Sequence, residues 1–122
     1  MSPRASDPIP RRVSARLKGW LVWDGEFLMG PRYARLLEGI DETGTIRGAC
    51  DRTGLSYRTC LARLRAMERT LGAPILITRR GGEGHGSAEL TPLGVRLVHV
   101  YHAWRSEIQR ASDRAFAKVV DR

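Results

Sequence analysis

Apolar positions along the chain change their period at identifiable places. Around 15–29 they alternate, with Leu17, Leu21 and Trp23 on one face and Trp20 and Val22 on the other. Asp24-Gly25 falls between Val22-Trp23 and Glu26-Phe27. A two-residue Asp-Gly step suits a turn with positive φ at both positions, so it is a strong hairpin signal. The pattern predicts a β-hairpin over about 15–29. Pro31 then suits the first turn of a helix, Tyr33, Leu36, Leu37 and Ile40 recur at helical spacing, and Gly44 ends the run. Thr45 can cap a second, short helix over Ile46–Thr53 that stops at Gly54. Ser56 can cap a third, with Cys60, Leu61, Leu64, Met67 and Leu71 on its apolar stripe. Gly72 closes it and Pro74 prevents continuation. Ile75–Thr78 reads as a short strand and Ala88–Leu90 as its returning partner, joined by a glycine-rich loop that opens on Arg79-Arg80. Thr91-Pro92 is a cap followed by proline at the first helical position, and the last helix runs to about Val120.

Hairpin, helix, helix, turn, helix, strand, glycine loop, strand, helix is the order of a winged helix-turn-helix. The expected class is mainly α with small β, with an N-terminal hairpin and a long C-terminal dimerisation helix over about 91–120. Residues 1–14 read as a flexible basic arm and residues 15–122 as the domain. Two helices cross at a short turn only when the contacts are small and the turn can take positive φ. Ala49 and Cys50 are small, Gly54 supplies the turn, and Leu55 and Cys60 supply apolar contacts around it.

At 122 residues the chain can bury one core without disulfide staples. The longest apolar run, Ala73–Ile77, is far short of the ~20 residues of a membrane span. Met1–Arg12 has no apolar centre, so no secretory signal is expected and a cytoplasmic location is. No nucleophile–base pair or paired carboxylates fall together, and no enzyme is expected. The glycine loop lacks the Gly-Lys-Ser/Thr of a phosphate-binding loop.

Charge changes the picture more. Lys+Arg number 21 against 13 Asp+Glu, a net +8, and the basic residues are arginine except for Lys18 and Lys118. The excess is uneven: +4 over 1–18, −3 over 19–43, +4 over 44–90 and +3 over 91–122. A basic block beside an acidic one suits a molecule with one face toward a polyanion, nucleic acid first.

Gly44-Thr45-Ile46, Gly54-Leu55-Ser56-Tyr57, Leu64-Arg65-Ala66-Met67-Glu68 and Leu71-Gly72 resemble the helix-turn-helix of LysR-type regulators. Ile75-Leu76-Ile77-Thr78-Arg79 and Glu89-Leu90-Thr91-Pro92-Leu93-Gly94 fit the same pattern. With the glycine wing and the N-terminal hairpin, the chain most resembles the DNA-binding domain of molybdate-responsive, ModE-type transcriptional regulators, over about 15–118. The resemblance implies double-stranded DNA as partner and a homodimer. Members that sense molybdate carry a C-terminal oxyanion-binding module; none is expected within these 122 residues, and the resemblance allows a separate effector-binding protein as a partner.

On that reading Arg58 and Thr59 face base edges, with Arg63 one turn on. Ser56 and Tyr57 bond phosphates at the helix N-terminus. Thr45 and Arg47 contact backbone, Arg79 and Arg80 flank the wing, and His85 adds a contact there. The motif has neither Asn nor Gln for bidentate adenine reading, whereas arginine reads guanine, so guanine-dependent half-sites are expected. Leu97, Tyr101, Trp104, Ile108, Ala111 and Ala115 alternate four- and three-residue steps, a dimerisation seam. Two alternatives stay open. One is a metal- or redox-responsive sensor on the same fold, using Cys50 and Cys60 or His99 and His102; no third ligand lies near the histidines in sequence, and no cofactor or metal is expected. The other is a winged helix that binds protein.

Overall fold

The computed structural model describes Arg4, residues 7–80 and residues 86–121. Its elements are β1 (Leu21–Trp23), β2 (Glu26–Met29), α1 (Pro31–Thr43), α2 (Ile46–Cys50), α3 (Tyr57–Leu71), β3 (Leu76–Arg79), β4 (Ser87–Leu90) and α4 (Pro92–Val120). The chain divides into two units. One is Lys18–His102, and the other joins the described residues up to Leu17 with the helix from Ala103 onward.

Within the first unit the hairpin forms where Asp24-Gly25 puts it, with φ of 49° and 85° at the two turn residues. Strand pairing covers less than the alternation predicts, and residues 15–20 lie outside it. Pairing slips between Val22↔Phe27 and Leu21↔Met29. The extra residue on β2 lets Leu28 and Met29, neighbours in sequence, both be buried. The predicted faces do not bury: Leu17, Trp20, Val22 and Trp23 are exposed. Beyond the bulge the backbone is used otherwise, since the Gly19 carbonyl accepts the Tyr101 hydroxyl at 2.7 Å.

Leu36, Leu37 and Ile40 of α1 are fully buried with Met29, Cys60, Leu64 and Ile75. Gly44 ends α1 in the left-handed conformation, its N–H donating to Ile40. Gly39 is the close-approach point of α1 and α2, because a Cβ there would lie 2.8 Å from Ala49 Cα. α2 stops three residues before its predicted end. The N–H groups of Arg52 and Thr53 close tight turns onto Ala49 and Cys50, and Thr53 Oγ1 donates to the Cys50 carbonyl. Gly54, at φ 74°, then redirects the chain into α3.

β3 and β4 pair antiparallel from Leu76↔Leu90 to Arg79↔Ser87; the strand starts one residue later than predicted and takes in Arg79. Hydrogen bonds at two residues, Ala88 and Thr91, fix this wing. Ala88 N–H donates to the Gly44 carbonyl at 2.7 Å, tying β4 to the α1–α2 connection. Thr91 donates its N–H to Ile75 and its hydroxyl to Pro74, while that hydroxyl accepts Gly94 N–H as the α4 cap. A Cβ at Gly94 would lie 2.3 Å from the Ile75 carbonyl oxygen. In the second unit Gln109 Nε2 donates to the Ala15 carbonyl at 3.0 Å. No helix among the described residues is long and apolar enough to cross a membrane.

Candidate nucleic-acid interface

Two caps orient the central motif. Thr45 Oγ1 accepts the Gly48 N–H at 2.9 Å and opens α2. Ser56 Oγ accepts the Thr59 N–H at 3.1 Å and opens α3. Each cap satisfies one of the donors that a helix N-terminus leaves unpaired and fixes the direction of the first turn. Thr43 supports the first cap, donating to the Gly39 carbonyl and accepting the Thr45 N–H. A side chain at position 48 would crowd both threonines, with a Cβ 2.8 Å from Thr45 Oγ1 and 3.0 Å from Thr43 Oγ1.

The caps leave Ser56, Tyr57, Arg58 and Thr59 exposed on the first turn of α3. Arg58 has no ion-pair or hydrogen-bond partner for its guanidinium among the described residues. Thr59 Oγ1 accepts the Ser56 hydroxyl at 2.9 Å. Arg47 does not extend alone from α2, since its guanidinium carbon lies 4.7 Å from the centre of the Tyr57 ring. That stacking links the start of α2 to the start of α3 and holds a positive charge between them.

Arg63 is placed differently. Five residues from Arg58 is about 140° around a helix, and its guanidinium lies over the rings of Phe27 and Tyr33. The exposed face that carries Arg58 continues instead through Arg65 and Arg69, each within about 20° of it. Arg65 enters a groove of about 1200 Å³ that runs between α2, α3 and the wing. Arg47, Tyr57, Arg79 and Arg80 line the same groove. Arg65 is not among the predicted contacts, and its seven-residue spacing from Arg58 is the signal in the chain that places both on one face. Arg79 also pairs with Glu89 across β3–β4 at 3.2 Å, an exposed contact that offsets little of its charge. His85 lies outside the described residues.

Along α4, Ile108, Ala111 and Ala115 are exposed and Leu97 and Trp104 are half-buried. Tyr101 is buried and committed to its own chain through Gly19. His102 is likewise engaged, its Nε2 meeting a Glu38 carboxylate oxygen. Among the described residues no group of three or more His, Cys, Asp or Glu side chains is placed to hold a metal ion. Beneath the turn, Cys50 and Cys60 are both buried. Burial, then the neighbouring Cys60 and the charge of Asp51, pushes the Cys50 thiol up to about 11.

A pair of capped helices joined through a left-handed glycine, with a basic wing beside them, defines a winged helix-turn-helix of the DNA-binding class. The chain belongs to the lysR family of bacterial regulatory helix-turn-helix proteins, whose profile matches residues 31–95. It is similar to the molybdenum-pterin-binding protein MopB of Rhodobacter capsulatus, 39% identical over 75 residues, which is 62% of this chain and 28% of the relative. The molybdenum transport protein ModE of Azotobacter vinelandii is 35% identical over 80 residues, 66% of this chain and 30% of its own. The transcriptional regulator ModE of Yersinia pestis is 37% identical over 84 residues, 68% of this chain and 32% of its own. The chain thus spans less than a third of the length of these relatives.

Proposed function

We propose that this chain is a sequence-specific, DNA-binding transcriptional regulator that engages double-stranded DNA as a homodimer. The observation that carries the reading is the Ser56-capped first turn of α3, exposed beside a groove lined by Arg47, Arg65, Arg79 and Arg80. α3 enters the major groove by its N-terminal turn, where Arg58 reads guanine and the Thr59 methyl meets an adjacent base. Ser56, Tyr57, Thr45 and Arg47 hold the phosphates on one side, and Arg65, Arg79 and Arg80 hold them toward the wing. The homodimer forms along α4 through Ile108, Ala111 and Ala115, with Leu97 and Trp104 at its margin. The likeness to the molybdenum-named proteins covers the helix-turn-helix, so DNA binding is carried over and their molybdenum is not.

Selection from a randomised duplex library across a salt series tests this. The expected result is an enriched pseudo-palindromic, guanine-containing site with steep salt dependence. Retention without enrichment removes the sequence-specific part. No retention even at low salt removes DNA as the partner, and a monodisperse monomer at micromolar concentration removes the dimer.

A further inference from the structure

Cys50 closes α2 and Cys60 lies in the first turn of α3, so they face each other across the helix-turn-helix. The Cys60 thiol donates to Cys50 Sγ at 2.8 Å, and the Cys50 thiol donates to the Leu55 carbonyl at 3.0 Å. Thr53 Oγ1 lies 3.6 Å from Cys60 Sγ. A disulfide requires a sulfur separation of about 2.05 Å, so the sulfurs need approach by less than about 1 Å. A metal fits worse. Zinc–thiolate bonds of about 2.3 Å in tetrahedral geometry hold two sulfurs about 3.8 Å apart and ask for further ligands; the described residues supply none.

We propose that Cys50 and Cys60 are a modification site: a hydroperoxide oxidises them to an intrachain disulfide that staples α2 to α3 beneath the turn. This is independent of the DNA-binding reading. One thiolate attacks a peroxide oxygen, the O–O bond breaks, and a sulfenic acid and water (or an alcohol) result. The second sulfur attacks the sulfenic sulfur, the S–S bond forms, and a second water leaves with the remaining proton. The two thiols lose two electrons and the peroxide gains them.

Burial shapes how this happens. Both sulfurs lie under the turn of residues 51–56, so the small oxidant enters when that turn opens, and a second protein chain is kept away. The raised pKa of Cys50 makes its own thiolate scarce at neutral pH, so attack by Cys50 is slow there and quickens as pH rises.

The test treats the purified full chain with hydrogen peroxide and follows mass, free thiols and non-reducing electrophoresis. These are the only two cysteines, so the pairing has no intrachain rival. The expected product has lost both alkylatable thiols and two hydrogens in mass, migrates as a single chain, and recovers both thiols with dithiothreitol. Its melting temperature rises by about 10 °C. Cys50→Ala and Cys60→Ala each abolish the link and the rise. Two thiols still alkylatable after unfolding, oxygen gained without loss of hydrogens, covalent dimers, or an unchanged melting temperature each overturn the proposal. The wild-type measurements decide it even where an alanine variant does not fold.

Discussion

The guanidinium carbon of Arg63 lies 5.4 Å from the centre of the Tyr33 ring, so an arginine of α3 rests on an aromatic side chain of α1. Phe27 closes the same place, meeting Tyr33 edge to face at 5.8 Å. The arrangement holds Arg63, itself exposed, against the rings of Phe27 and Tyr33. Arg63→Ala is expected to lower unfolding free energy by about 1 kcal/mol through lost cation–π contact. Denaturant titration measures this, and an unchanged midpoint would show the rings contribute nothing.

Arg58 should behave in the opposite way. It is exposed and has no ion-pair or hydrogen-bond partner for its guanidinium among the described residues, so Arg58→Ala leaves the melting temperature alone. Binding to the selected site is expected to fall by about 10- to 100-fold, with the guanine preference relaxed at one position. Fluorescence anisotropy on matched and guanine-substituted duplexes at fixed salt checks both effects.

Arg65, Arg79 and Arg80 line the groove beside the wing, where the proposed DNA complex places phosphates. Replacing any one by alanine should weaken binding to all duplexes alike and reduce the slope of log K against log salt by about one. A loss confined to particular sequences would make that arginine a base reader.

Gly39 admits no side chain without movement of α2. Gly39→Ala places a methyl 2.8 Å from both Ala49 Cα and its Cβ, and overpacking of this kind costs about 1–3 kcal/mol. Adding Ala49→Gly removes one of the two clashing atoms. The double variant is therefore expected to be more stable than the sum of the single changes predicts, as a double-mutant cycle will show.

The Cys50 thiol gives a pH dependence with a definite sign. Its pKa is raised from 9.0 to about 11 in the folded chain. Between those values the unfolded thiol has released a proton that the folded one keeps. The unfolded state then binds fewer protons, and stability falls as pH rises. Wild type is expected to lose stability over that window relative to Cys50→Ala. Parallel curves would show that the thiol titrates alike in both states.

Much of the framework was legible because it is written in interactions that reach only a few residues. The Asp24-Gly25 turn, the Gly44 and Gly72 stops, the Thr45 and Ser56 caps and the Thr91-Pro92 start all satisfy backbone groups within about four positions. The sequence displays both partners of each such bond side by side. The α2 end was misread because Thr53 is competent to extend a helix, but instead its hydroxyl turns back to the Cys50 carbonyl. The hairpin's length was overread for a related reason. Alternation marks a strand only where a partner strand or a core meets it, and neither meets residues 15–20 as a strand.

What the amino-acid order determined by itself, then, was where each helix begins, where α1, α3 and α4 stop, and which first turn lies bare with Ser56, Tyr57, Arg58 and Thr59 on it. Tertiary structure alone decided that Gly39 touches Ala49, that Arg63 lies over Phe27 and Tyr33, that Arg65 shares a groove with Arg79 and Arg80, and that two thiols meet across the turn. Each of those pairings depends on how packed elements are set against one another. That setting is fixed by the summed burial of Met29, Leu36, Leu37, Ile40, Leu64 and Ile75, and no single stretch of the chain contains it.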